Sequence, residues 1–207
     1  DQCSLPVRMD GLGVRTASEV SLPAYLSSVS ATFERITPLL PTYLRNEVNP
    51  FFTQATFQWS NLLSGEDLPV LKSVQAAWDV PLCKKRFENL LQSANTDEDK
   101  ARLRAVSSEH ASDWLNCVPL PSMSLKLNRQ TLRIAVALRL GSKICKSHKC
   151  HCINKDTKQP NTVDIKGLHG LSCASAGGKG RIARHDRAND LIQRALASAN
   201  YHCILEP

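Results

Sequence analysis

Cys145-Lys146-Ser147-His148-Lys149-Cys150-His151-Cys152, sixteen further residues, then His169-Gly170-Leu171-Ser172-Cys173: this stretch places four of the eight cysteines and three of the six histidines within 29 positions. A tetrahedral metal site needs two pairs of soft ligands joined by a loop long enough to close. Cys150-x-Cys152 and His169-x3-Cys173 supply both pairs, so the spacing predicts Zn2+ held by Cys150, Cys152, His169 and Cys173. Cys145, His148 and His151 compete for the same positions, and a Cys145/His148 pair is an alternative to one of the two. Four ligands without a carboxylate make a closed, structural site rather than a catalytic one. Its role would be to fold a segment too poor in apolar residues to build a core of its own.

The same stretch is basic. Gly141 to Arg194 holds 11 Lys/Arg against 4 Asp/Glu, which leaves 15 against 15 in the remainder, so the whole net charge of +7 resides there. A basic block around a metal-ligand cluster points to a polyanion partner, RNA and/or DNA. The candidate phosphate contacts are Lys146, Lys149, Lys155, Lys158, Lys166, Lys179, Arg181, Arg184 and Arg187. The scattered Cys3, Cys83, Cys117 and Cys203 do not form a disulfide pattern. Cys83, Cys117 and Cys203 sit beside apolar residues, as buried thiols do. The clustered four read as thiolate ligands in a reducing compartment.

Upstream the pattern is helical. Thr16-Ala17-Ser18-Glu19 is a capping box, and Leu22, Leu26, Val29, Phe33, Ile36 and Leu40 follow at helical spacing, with Pro38 and Pro41 as the stop. A second helix is predicted from Asn49 to Leu63, starting at Pro50. A third runs from Leu71 to Ala94, interrupted or kinked near Pro81. A fourth starts after Asn95 and carries Leu103, Val106, His110, Trp114 and Leu115. Asn128 can cap a helix from Arg129 to Leu140, apolar on most sides and therefore expected to be buried. Gly177–Gly180 reads as a hinge. A last helix carries Ala188, Leu191, Ile192, Ala195, Leu196 and Ala199, with His185 and Asp186 before it and a strand expected over Tyr201–Leu205. Trp59, Trp78 and Trp114 fall on apolar faces and are expected in the core. The apolar runs are short and broken by Arg or Pro, so no membrane span is expected. No Walker-type phosphate loop, Gly-x-Ser-x-Gly, His-Glu-x-x-His or Tyr-x-Asp-Asp occurs in the chain.

In order along the chain, several blocks resemble the region downstream of the reverse transcriptase domain in non-LTR retrotransposon polyproteins that carry a restriction-like endonuclease. Leu5–Arg15 followed by Leu22–Ser28 is similar to the segment after the polymerase thumb. Trp114–Pro121 and Arg133–Gly141 resemble the family's helical linker, and His148–Cys152 with His169–Cys173 resembles its CCHC zinc knuckle. Arg184–Ile192 and Leu205–Pro207 resemble the first helix and strand of its endonuclease. The resemblance implies a mainly α chain in three parts. Residues 1–141 would be a helical linker, 142–180 the knuckle, and 181–207 the start of a truncated α/β nuclease. It implies a nuclear fragment that positions RNA or target DNA during integration, is not an enzyme by itself, and works beside the remainder of its polyprotein. Two other readings are a stand-alone zinc-binding interaction module and a metal-dependent nuclease using Glu206 and His185.

Overall fold

A computed structural model describes residues 2–45, 49–70, 72–123, 125–154, 156–173 and 179–204. The chain is mainly helical and divides into two compact units, Asp1–Asn128 and Arg129–Pro207.

The first unit begins with a folded N-terminal turn. Its backbone closes on itself through Gly11 N–H to Pro6 O, Leu12 N–H and Val14 N–H to Cys3 O, and Gly13 N–H to Leu5 O. Leu5 is fully buried. Gly11 is required there because a Cβ would lie 1.8 Å from the Leu5 carbonyl oxygen.

Helix α1 (Ala17–Ile36) starts at the predicted capping box, with Thr16 N–H donating to Glu19 Oε2 at 2.9 Å. The other Glu19 oxygen accepts from the Ser4 hydroxyl at 2.6 Å and lies 3.2 Å from Arg86 Nη1. The Ser4 hydrogen bond, then the Thr16 N–H, hold the Glu19 carboxyl at about 2, well below the ordinary carboxylate range. One residue thus ties the N-terminal turn to α1 and to α3 (Gln75–Ser93). Helix α1 ends ahead of Pro38, as expected. Its buried face is Pro23, Leu26, Ser27 and Ser30 rather than the whole predicted stripe, and Phe33 and Ile36 are exposed. The buried serines satisfy themselves on their own helix, Ser30 Oγ donating to Leu26 O at 2.8 Å and Ser27 Oγ to Ala24 O at 3.1 Å.

Helix α2 (Pro50–Leu62) is capped by Asn49, whose Oδ1 accepts from Phe51 N–H and Phe52 N–H. It brings Trp59 onto Trp78 of α3. The rings meet edge to face at 5.2 Å, and Trp59 Nε1 donates to Trp78 O at 2.8 Å. Leu26, Ala55, Leu63 and Leu82 complete this core, with Leu22 and Phe52 at its rim.

Of the two outcomes expected at Pro81, an interruption or a kink, the interruption does not occur, and helix α3 runs through the proline. A proline in a helix interior costs about 3 kcal/mol. Burying a tryptophan stabilises by about 4–6 kcal/mol, taking ~150–250 Å2 at ~25 cal/mol per Å2. Trp78, Leu82 and Cys83 are all buried around the proline, so packing outweighs the lost backbone bond. Beneath them Arg15 reaches Asp79 with two 2.7 Å hydrogen bonds.

The fourth helix is shorter than expected. Helix α4 (Asp97–Val106) starts where Thr96 Oγ1 accepts from Asp99 N–H at 3.1 Å, and its Leu103 is buried. It stops because the Ser107 and Ser108 hydroxyls bond back to Arg104 O and Ala105 O, and His110 turns left-handed at φ 66°. Trp114 and Leu115 lie instead on the short α5 (Asp113–Asn116). Cys117 is exposed, against the expectation of burial, because it follows this single turn with no core on it.

In the second unit α6 (Arg129–Leu140) has the predicted bounds but is not buried. Leu132 and Ile134 are each 44% exposed, and the buried residue is Arg139. The unit has too little apolar surface to cover the helix: among its described residues only Cys152 and Val163 are buried hydrophobics. An antiparallel hairpin follows, β1 (His148–Ile153) with β2 (Pro160–Val163), which the sequence reading did not anticipate. After the short α7 (His169–Ser172), α8 (Lys179–Ser198) starts earlier than expected, so His185 and Asp186 lie within it and Lys179–Gly180 are helical rather than hinge. Gly177, Gly178, the end of the expected strand at Leu205, and the following Glu206 and Pro207 lie outside the described residues. Tyr201–Ile204 form no strand, since a strand needs a paired neighbour for its backbone groups and none is present among the described residues. No helix among the described residues is long and apolar enough to cross a membrane.

Candidate metal centre

The hairpin is built by side-chain and backbone hydrogen bonds more than by apolar packing. At its turn Asn154 Oδ1 accepts from Asp156 N–H at 2.8 Å and Thr157 N–H at 3.2 Å, while Asn154 N–H donates to Gln159 O at 2.8 Å. Lys158 takes φ 56° to close the turn. At the open end Ser147 Oγ donates to Val163 O at 3.0 Å.

The register is irregular at one place. Lys149 pairs with Thr162 and Ile153 with Pro160, so Cys150, His151 and Cys152 stand opposite Asn161 alone. Residues two apart on a strand share a face. Cys150 and Cys152 therefore turn the same way, Cys152 buried, while His151 between them is exposed.

The second ligand pair arrives through a turn organised by Asp164. Its Oδ2 accepts from Lys166 N–H at 3.1 Å and its Oδ1 from Leu168 N–H at 3.0 Å. Gly167, at φ 67°, donates its N–H to Asp164 O at 3.0 Å. A left-handed residue costs glycine least, and this one redirects the chain into α7. Helix α7 opens on His169, and Cys173 follows its last residue.

Hairpin and α7 bring four ligand atoms together. The sulfurs of Cys150, Cys152 and Cys173 and one imidazole nitrogen of His169 all lie within 4.8 Å of one another. Cys150 Sγ is 3.6 Å from Cys173 Sγ, and Cys152 Sγ is 3.1 Å from His169 Nε2. A tetrahedral centre with metal–sulfur bonds of ~2.3 Å has sulfur–sulfur edges of ~3.8 Å. The Cys150–Cys173 separation lies within a few tenths of an ångström of that edge, all separations stay within about 1 Å of it, and the cluster could hold a metal.

One side-chain donor points at its sulfurs: Asn161 Nδ2 donates to Cys152 Sγ at 3.0 Å. The Cys150 thiol is raised above its ordinary value. The Cys152 N–H lowers it, but the Cys152 thiol, burial and the Cys173 thiol together raise it more. A metal must displace these protons to bind.

The competing ligands face elsewhere. Cys145 Sγ donates to Asp164 O at 3.2 Å, and His148 Nδ1 lies 2.8 Å from Lys146 O. Of the candidate phosphate contacts, Lys146, Lys149 and Lys158 are exposed, and Lys149 Nζ bonds Thr162 Oγ1 at 2.8 Å. Lys166 is half-buried, and Arg187 is exposed but pairs with Asp190 at 3.1 Å. Lys155 lies outside the described residues, as do the side chains of Lys179, Arg181 and Arg184. His185 is exposed on α8, 3.6 Å from Asp186, and Glu206 lies outside the described residues.

Sequence reasoning missed Asn161 and Asp164. The signal for both was present in Asn154-Lys155-Asp156-Thr157-Lys158-Gln159, a turn composition followed by the β-branched Thr162-Val163, and in Asp164-x-x-Gly167. No family model, curated protein or solved structure matches this chain.

Proposed function

We propose that residues 142–180 form a zinc-stabilised, nucleic-acid-binding element, with Cys150, Cys152, His169 and Cys173 as the ligands. The observation that carries the reading is the convergence of three sulfurs and one imidazole nitrogen within 4.8 Å, on a hairpin and a short helix with little core beneath them. Three soft thiolates and an imidazole favour Zn2+ over hard cations. Lys146, Lys149 and Lys158 are exposed in the same segment and would meet phosphates. The CCHC resemblance supports the wider reading. On it the chain is the linker and knuckle of a retrotransposon polyprotein, acts in the nucleus, holds RNA or target DNA during integration, and leaves catalysis to other parts of that polyprotein.

Two measurements on the full chain test this. Native mass spectrometry should find one zinc per chain, removed by a chelator, and Cys150→Ser should lose both the zinc and the hairpin. A Cys150→Ser variant that still binds one zinc would show that the ligand set is wrong. Binding to duplex DNA and single-stranded RNA should fall linearly in log–log salt plots. Three phosphate contacts give a slope of about −2 to −3, and Lys149→Glu should flatten it by about 1. No binding at low salt, or binding indifferent to the chelator, would overturn the nucleic-acid reading.

A further inference from the structure

The hairpin register isolates one residue. Asn161 is the sole cross-strand partner of the three-residue bulge Cys150–Cys152, and its Nδ2 lies 3.0 Å from the Cys152 sulfur. Cys152 takes its donor from across the hairpin. Three thiolates and a neutral imidazole around a divalent ion leave a net charge of −1. Cys152 is the most buried of the four ligands, so excess charge on its sulfur is the least solvated. A donor aimed at it makes a charge-assisted hydrogen bond once the thiol is deprotonated. An asparagine amide supplies that bond without adding charge or competing as a ligand.

We infer that Asn161 is a positioning residue of the metal centre: its amide N–H holds the Cys152 thiolate in place and withdraws electron density from it. The inference rests on the metal-binding reading of the same four ligands. Outer donors of this kind typically govern 10–100-fold in metal affinity. A merely structural asparagine would stabilise the hairpin without altering the metal–sulfur bond, and the two roles separate spectroscopically.

The full chain, loaded with Co2+ as a probe, should show a thiolate-to-metal charge-transfer band. Zn2+ affinity is then read by competition. Asn161→Leu and Asn161→Asp both remove the donor, the second while keeping a polar side chain of the same size. Each should weaken Zn2+ binding by 10–100-fold. Each should also move the charge-transfer band to lower energy, because a sulfur without its hydrogen bond gives up electrons more readily. Thr162→Val, which removes the neighbouring Lys149–Thr162 hydrogen bond from the same hairpin, should leave the band in place. Wild-type affinity and band energy in both Asn161 variants would overturn the inference and leave the metal site standing, as would an equal shift in Thr162→Val. If the wild-type chain itself shows no such band, the metal reading fails and the inference with it.

Discussion

Removing the Asp79 carboxylate should destabilise the first unit far more than removing the whole ion pair. Arg15 meets Asp79 through two hydrogen bonds of 2.7 Å, with the side chains only 18% and 13% exposed, and Cys83 Sγ adds a weak contact at 3.7 Å. The pair joins positions 64 apart in sequence, fastening the N-terminal turn to α3. Hydrogen bonds to charged groups each contribute about 1.5–3 kcal/mol. Breaking a fully buried pair costs about 3–5 kcal/mol, because the surviving charge stays buried without a partner. The residual exposure here lets water reach Arg15, so Asp79→Ala should cost about 3 kcal/mol, near the lower bound. That corresponds to a fall in Tm of about 10 °C for a unit of this size. In Arg15→Met/Asp79→Ala no charge is stranded, and at least half of the loss should return.

The assay is urea unfolding followed by tryptophan fluorescence. All three tryptophans, Trp59, Trp78 and Trp114, lie in the first unit, so the signal reports that unit alone. A loss below about 1 kcal/mol for Asp79→Ala would refute the reasoning, since values of that size belong to solvent-exposed pairs. A double variant no more stable than the single one would refute it too, because the cost would then lie in lost packing and not in the stranded guanidinium.

Acid should unfold the same unit late. Glu19 is held at about 2, and Asp79 is also held low: burial pushes it up, but the Arg15 hydrogen bonds and charge outweigh this. Both contribute stability that is present above the ordinary carboxylate range and is lost as pH falls through their folded values. Fluorescence-detected stability should therefore decline between about pH 4 and pH 2, and Ser4→Ala should move the decline to higher pH; a wild-type stability flat down to pH 2 would sink this. Gly11→Ala should cost about 3 kcal/mol by urea unfolding, because its new Cβ would meet Leu5 backbone atoms at 1.8–2.7 Å; an unchanged midpoint would mean that the turn can relax. Trp59→Phe should lose the 2.8 Å bond to Trp78 O and about 1–3 kcal/mol; a loss within a few tenths of a kcal/mol in the same titration would count against that bond. Of the eight free cysteines, chelation of a zinc-loaded chain should release three to a thiol reagent under native conditions, and no change in the count would argue against thiolate ligation.

Local chemistry in the helices was legible where one residue decided one outcome. Thr16 with Glu19, Asn49 with Pro50, and Thr96 with Asp99 each mark a helix start, because the orphan N–H groups there have few other partners. The errors lie where a distant contact decides. Pro81 reads as an interruption until Trp78, Leu82 and Cys83 are seen to be buried around it. The largely apolar α6 reads as buried, yet Leu132 and Ile134 are each 44% exposed, because periodicity describes a face and not what covers it.

The metal centre inverts this relation. The four residues that converge there are the set the spacing proposes, ahead of the competing Cys145, His148 and His151, while the hairpin that presents them is not legible. Strand β1 is His148-Lys149-Cys150-His151-Cys152-Ile153, with no alternation of apolar and polar residues to announce it. What orders it is a set of single bonds from Ser147, Asn154 and Asn161, together with the turn that Asp164 and Gly167 make before His169. Each of those bonds contributes only about 0.5–1.5 kcal/mol. They bring four ligand atoms within 4.8 Å but leave only two buried hydrophobic side chains among the unit's described residues. A segment of this kind gains most from an ion, since four bonds to one centre replace the apolar core that its sequence lacks. The same poverty of apolar residues that hid the hairpin from a hydrophobic-pattern reading is therefore the reason that this cluster, which could hold a metal, would gain most from one.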